Sequence, residues 1–275
     1  MPKTIVITGS SDGIGAAAAR RLSLDGHTVV VVGRSREKAR ELAREIGSDY
    51  FVADFARLDD VRTLAAGLAG NYPRIDVLAN NAGALCPAAE RSIDGFDLNM
   101  QVNHLAPFLL TNLLLPTLEN SGATVIQTSS SASRKRGRIV LDDLNNTAKR
   151  SSGLCYSDAK LAGVLFTAEL QRRYGRRGIA AAAFHPGSVA SSFEATSPVK
   201  RAFYANGLVR RYLATPAAGA RSLVWLATSD PGTVWTPGAY YEKRRVYTGP
   251  NPQLGSPELA KELWNVSARM VGLAA

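Results

Sequence analysis

Short runs of β-branched and aliphatic residues recur along the chain, each followed by a longer stretch with helical spacing. Residues 5–7 precede an Ala-rich, glycine-free stretch over 16–24. Residues 29–32 precede 35–46, where Glu37, Glu41 and Glu45 alternate with Lys38 and Arg40 on a wet helix surface. Residues 50–53 lead into 58–68, and 75–79 into a long stretch ending near 118. Runs at 124–128 and 179–184 flank a helix over about 156–174. The runs are continuously apolar and do not alternate, so both of their faces are buried. Strand and helix in strict alternation imply right-handed crossovers and a parallel sheet covered on both sides. The pattern predicts one doubly wound α/β domain of about seven strands over 1–275, with no linker or repeat to divide it. Such sheets bind ligands beyond the carboxyl ends of their strands, so the residues just after each strand carry the information about function.

Composition narrows the classes. With 275 residues, 45% hydrophobic, the chain can bury well over half of its unfolded surface without staples. Two cysteines, Cys86 and Cys155, cannot form a disulfide framework, which fits a reducing compartment. No apolar run approaches 20 residues, so no membrane span is expected. The first strand begins almost at once, leaving no room for a signal peptide, and a cytoplasmic location is expected. Thirty-three Lys and Arg against 23 Asp and Glu give a net charge of +10. The cations fall in short groups at 134–138, 172–177, 210–211 and 243–245, without zinc-finger spacing, a basic zipper or interleaved aromatics. Most suit solvated faces. A phosphate-bearing ligand, not nucleic acid, is the functional reading.

Strand one is followed by Thr8-Gly9-Ser10-Ser11-Asp12-Gly13-Ile14-Gly15. Glycines there let the chain turn tightly and bring backbone amides to a pyrophosphate at a helix N-terminus. Turns collect glycine anyway; the strand before and the helix after are what point to a dinucleotide. Strand two ends Val32-Gly33-Arg34-Ser35, without the carboxylate that would bind a ribose 2′-hydroxyl. A guanidinium can instead hold a 2′-phosphate through two charge-assisted bonds. Arg34 thus points to NADP(H), although it also suits an exposed turn, and Asp12 places a negative charge in the glycine loop.

Asn80-Asn81-Ala82-Gly83 follows strand four, Thr128-Ser129-Ser130-Ser131 closes strand five, and His185-Pro186-Gly187 follows strand six. In Tyr156-Ser157-Asp158-Ala159-Lys160, residues four apart share a helix face at about 6 Å, so the Lys160 ammonium can lie near the Tyr156 hydroxyl. A fixed positive charge favours the phenolate and draws a pKa of about 10 towards neutrality, as a general acid/base requires. A hydroxyl closing strand five can donate to a substrate carbonyl. His27, His104 and His185 have no Cys or carboxylate at ligand spacing and read as structural, with no metal expected.

Thr-Gly-x-x-x-Gly-x-Gly at 8–15, Asn-Asn-Ala-Gly at 80–83 and Tyr-x-x-x-Lys at 156–160 resemble the short-chain dehydrogenase/reductase family, essentially from end to end. The resemblance implies a Rossmann domain and catalysis by Asn103, Ser130, Tyr156 and Lys160, with Ser129 as the fallback for Ser130. It implies that NADP(H) is bound by Gly9, Ser10, Ser11, Asp12, Gly13, Ile14, Gly15 and Arg34. Further along, it implies cofactor contacts from Asp54, Phe55, Asn81, Ala82, Gly83, Tyr156, Lys160, Pro186, Gly187, Val189 and Ser191. Asp54 would touch the adenine, Asn103 would hold a water linking Lys160 to solvent, and Ser191 stands where the family has threonine.

Twenty-five residues separate Ser130 from Tyr156. That insertion, Val102-Asn103-His104-Leu105 and Leu263-Trp264-Asn265-Val266-Ser267 resemble the retinol dehydrogenase and WW-domain oxidoreductase branch. Ala106-Pro107 replaces that branch's glycine, and a proline within a helix costs about 3 kcal/mol and should kink it. A substrate lid is expected at about 191–213 and a C-terminal extension from about 238. The aromatics Phe193, Phe203, Tyr204 and Tyr212 of the lid suggest a bulky hydrophobic substrate, or simply pack the lid on the body. The implied function is NADPH-dependent reduction of a ketone or aldehyde on such a molecule, with Tyr156 as general acid. A non-catalytic nucleotide sensor, an alkene reductase and an alcohol dehydrogenase are the alternatives. Many relatives pair through the helices holding Asn103 and Tyr156, which leaves a homodimer or homotetramer open.

Overall fold

The computed structural model describes residues 1–147, 150–187 and 214–274. Six strands lie parallel in the order the crossover rule demands: β1 (Thr4–Thr8), β2 (Thr28–Gly33), β3 (Asp49–Val52), β4 (Val77–Asn80), β5 (Thr124–Thr128) and β6 (Ala180–His185). A short parallel β7 (Tyr240–Glu242) extends the sheet, giving the order β3-β2-β1-β4-β5-β6-β7. An antiparallel β8 (Arg245–Val246) then closes the edge. This eighth strand goes beyond the seven expected. It is only two residues long and exposed, too short to give a hydrophobic pattern, and it leaves a blunt sheet edge. The strand order reverses between β1 and β4, which opens a crevice there.

The apolar runs work because successive side chains point to opposite faces. Ile5, Ile7, Val29, Val31, Val77 and Ala79 pack against α1 (Gly13–Leu24), α2 (Arg36–Ile46) and a helix over Pro216–Thr228. Val6, Val30, Leu78 and Val125 face the other way, towards α3 (Leu58–Asn71) and the helices between β4 and β6. Those helices are α4 (Leu98–Met100), α5 (Ala106–Leu113), α6 (Leu115–Ser121), α7 (Ser131–Lys135) and α8 (Ser152–Tyr174). The helix over Pro216–Thr228 is α9.

Between α4 and α5, residues Gln101–Leu105 form a π-helical turn in which the Ala106 amide donates to Gln101 O, five residues back. Pro107 explains it. The expected kink is taken up as a wider turn, because Pro107 has no amide to give to the Asn103 carbonyl and its ring needs room at that level.

The chain ends in α10 (Pro257–Met270), which lies outside α5 and α8 as an additional layer. Trp264 stands edge-on to Phe108 at 5.0 Å and is stacked on Phe166 at 5.6 Å, while Arg173 covers its ring at 4.7 Å. Ser267 Oγ meets His104 Nε2 at 2.8 Å. Burial keeps that imidazole neutral, with its pKa pushed down to about 3. Part of the apolar surface of α5 and α8 is thus covered by the chain's own C-terminal helix. Trp264→Ala should lower the unfolding free energy by about 3–5 kcal/mol in urea titrations. A loss under about 1 kcal/mol would mean that α10 is loosely docked.

Candidate active site

The side chains of Thr8, Ser10 and Asn81 draw the strand ends together. Thr8 Oγ1 accepts from the amides of Asn81 and Ala82 at 3.0 Å each. Ser10 Oγ donates to Ile7 O at 2.7 Å and accepts from the Val32 amide at 3.0 Å. Asn81 Nδ2 donates to the carbonyls of Thr8 and Gly9, at 3.0 and 3.2 Å. The glycine loop is therefore pressed onto the end of β4, which is why its glycines are needed. Gly9 has φ +63°, and a Cβ there would sit 2.7 Å from Ala82 Cα; one on Gly15 would sit 2.6 Å from Asn81 Nδ2. Asp12 caps α1, its side chain accepting from the Gly13 amide at 2.7 Å.

Arg34 is exposed just past β2 and makes no ion pair among the described residues. The negative charge of Asp12 does not stand alone beside it: Lys38 Nζ, on the first turn of α2, pairs with Asp12 Oδ2 at 3.0 Å. Lys38 was overlooked in the sequence because it reads as one of several charges on a wet helix face. The usable signal was its position four residues after Arg34. Ser11 packs over Gly33, where an added Cβ would meet its Oγ at 2.6 Å. Asp54 is half-buried and accepts from the Ala56 amide, Phe55 is buried, and Ile14 packs on the α1 face of the core.

On α8, Lys160 is 4% exposed and donates to Thr128 O at 3.0 Å. Its Nζ lies 5.7 Å from the centre of the Tyr156 ring. A Cβ on Gly83 would stand 2.8 Å from that nitrogen and 2.7 Å from Asn103 Oδ1, so Gly83, Asn103 and Lys160 converge. Burial pulls the ammonium's pKa down to about 8.

The Asn103 side chain is fully engaged. Its Nδ2 donates to Ala84 O and Asn99 O at 2.8 Å each, and its Oδ1 accepts from the Ala84 amide at 3.1 Å. Its main-chain carbonyl cannot accept from the usual donor four residues on, because Pro107 has no amide.

The two candidate serines differ. Ser129 Oγ is buried and donates to Lys160 O at 3.0 Å. Ser130 is half-buried and caps α7, its Oγ accepting from the Ala132 amide at 3.2 Å, which leaves its proton for another acceptor. Tyr240, on β7 and not singled out in the sequence, donates to Ser130 O at 3.1 Å.

The insertion is also anchored to α8. Asp158 accepts from the Arg138 amide at 2.7 Å and pairs with Arg150. Burial raises this carboxyl to about 6 against both partners. His185 is buried with its pKa lowered to about 4, and Pro186 and Gly187 follow at the end of β6. Val189, Ser191 and the expected lid lie outside the described residues.

A family profile described as short chain dehydrogenase matches residues 3–201. The chain belongs to this family. A protein provisionally named daunorubicin C-13 ketoreductase, from Streptomyces sp. (strain C5), is 40% identical over 279 residues, covering 98% of this chain and 93% of that one. Mouse retinol dehydrogenase 14 is 34% identical, over 98% of this chain and 86% of its own. A short chain dehydrogenase from Shigella flexneri complexed with NADP superposes with a TM-score of 0.65 at 30% identity, over 82% of this chain and 90% of that one. The protein is accordingly an oxidoreductase of the short-chain dehydrogenase/reductase family, whose members bind a nicotinamide cofactor. Among the described residues no helix is long and apolar enough to cross a membrane.

A buried ammonium with one carbonyl partner is held at a cost in stability. Its penalty is full below pH 8 and fades as pH rises towards 10.5, where the unfolded chain also loses the proton. Lys160→Met should therefore be more stable at pH 7, by about 1–3 kcal/mol in denaturant titrations. That advantage should shrink between pH 8 and 10.5. Loss of stability at pH 7 would show that the Thr128 contact outweighs desolvation.

Proposed function

We propose that this protein reduces a ketone or aldehyde carbonyl on a bulky hydrophobic molecule with NADPH. The observation that carries the reading is the meeting of Lys160, Tyr156, Asn103 and Gly83 beside Thr128 and Ser130, at the carboxyl end of the sheet where the glycine loop also lies. The names of the relatives, one for a ketoreductase and others for retinol dehydrogenases, support a carbonyl–alcohol couple on a large apolar molecule.

The residues present fit a dinucleotide. Gly9 and Gly15 let the loop press onto the end of β4, where no side chain would fit, and the amides opening α1 favour an anion. Past β2, Arg34 offers a guanidinium for a 2′-phosphate with no carboxylate competing for it. Lys38, held by Asp12, adds a second cation one helix turn away. When bound, the cofactor supplies a hydride to the carbonyl carbon.

Tyr156 gives its proton to the substrate oxygen as charge develops there. Ser130 donates a hydrogen bond to the same oxygen and holds it against Tyr156, while Ser129 keeps α8 tied to β5. Lys160, cationic below about pH 8, favours the Tyr156 phenolate by charge and binds the cofactor's ribose hydroxyls. Lys160 then passes a proton towards the Tyr156 phenolate, and a water held by the Asn103 carbonyl, which has no donor from Pro107, returns one from solvent to Lys160.

Fluorescence titration with NADPH and NADH should show a preference for NADPH of about tenfold or more, the worth of one or two charge-assisted bonds, and Arg34→Ala should abolish it. Equal binding by the wild type would overturn the NADPH assignment. Tyr156→Phe should lower kcat about 10²–10⁴-fold with NADPH binding retained. Full turnover by that variant would remove Tyr156 from the proton transfer.

A further inference from the structure

A second cationic site lies on the insertion, outside the machinery described above. Arg134, Lys135, Arg136, Gly137 and Arg138, with Asn251 and Gln253, line a cleft of about 430 Å³. No carboxylate among the described residues lines it. Arg134 is engaged: it pairs with Glu242 at 2.9 Å and covers the Tyr247 ring at 4.8 Å. Lys135, Arg136 and Arg138 are exposed and form no ion pair among the described residues. A concave surface of one charge sign concentrates anions, and guanidiniums match the oxygens of a phosphate in pairs.

This loop is not a loose, solvated turn. Asn251 Nδ2 donates to Ser133 O and Gly137 O at 3.1 and 3.0 Å. Gln253 bonds both the amide and the carbonyl of Ile139. Gly137 is pressed onto α8 so closely that a Cβ would sit 2.8 Å from both Ser157 O and Leu161 Cβ. The Arg138 amide is held by Asp158. The roots of the three cations are thereby fixed to the same turn of α8 that carries Tyr156 and Lys160. Arg134 stands four residues, about 6 Å of helix rise, beyond Ser130. Asn251, Gln253 and Asp158 hold this loop by its main chain and leave the side chains of Lys135, Arg136 and Arg138 exposed.

We propose that this cleft is a phosphate-binding subsite, with Arg136 and Arg138 as its principal donors and Lys135 as a third. The phosphate is either free or carried at the far end of the carbonyl substrate. Only the second source rests on the reductase reading.

Calorimetric titration of inorganic pyrophosphate into the full chain at low salt tests the subsite. The variant is Arg136→Gln/Arg138→Gln, which changes only exposed side chains, and Arg34→Ala serves as the control for the cofactor region. The double variant should bind pyrophosphate at least tenfold more weakly at this site while its NADPH titration stays unchanged, and Arg34→Ala should keep the site. A pyrophosphate isotherm that the double substitution leaves unaltered would overturn the proposal.

The source is read from KM with an aromatic ketone and its phosphate ester. A lower KM for the ester that the double variant loses places the phosphate on the substrate. Equal KM values alongside intact pyrophosphate binding place it in solution. Absence of turnover with either ketone would count against the reductase reading alone, because the titration needs no catalysis.

Discussion

A lysine ammonium held away from water constrains the rest of this site. Lys160 can stay charged near neutrality only if a rigid acceptor meets it, and Thr128 O does so from the end of β5. That contact requires α8 to lie hard against the strand, which Ser129 secures through Lys160 O. It also requires an opposite wall without a side chain, which Gly83 provides. Asn99 and Asn103 hold the segment after Gly83 through Ala84 and Cys86. One buried charge thus links β4, β5, α8 and the π-helical turn.

That turn also looks outward. Pro107 enforces it from within the helix, and His104 connects it to Ser267 on α10. The aromatic packing around Trp264 fixes α10 on α5 and α8. The C-terminal helix, far from the crevice, therefore supports the segment that presents Asn103. Core packing and site geometry are joined at this point, because a π turn is strained unless its surroundings hold it.

Much of this was legible in the sequence. Strands buried on both faces read as unbroken apolar runs, so β1 to β6 were found with small shifts in their ends. Gly9, Gly13 and Gly15 stood out because backbone approach tolerates no Cβ, and Tyr156 with Lys160 because helix spacing is regular. Other features depend on contacts between distant segments and leave no local trace. The Asp12–Lys38 pair joins residues that separately suggested a weaker phosphate site and a wet helix. Tyr240 drew no reading from the sequence, and its hydroxyl reaches Ser130 O. β8, two residues long, was too short to show. The kink expected at Pro107 was right in cause, but the helix widened into a π turn without breaking. Ser130 was preferred to Ser129 on the resemblance alone, whereas their different surroundings, Ser129 buried on Lys160 O and Ser130 capping α7, arise only in the fold.

The central claim is that the hydride arrives at a carbonyl carbon while this site delivers a proton to the oxygen. Turnover of an aromatic ketone with NADPH deuterated at C4, followed by mass and NMR analysis of the product, measures it directly. The account predicts one deuterium on the carbinol carbon, of a single stereochemistry at that carbon, and none elsewhere. Deuterium on a former alkene carbon, or no transfer with any ketone while NADPH binds normally, would contradict it.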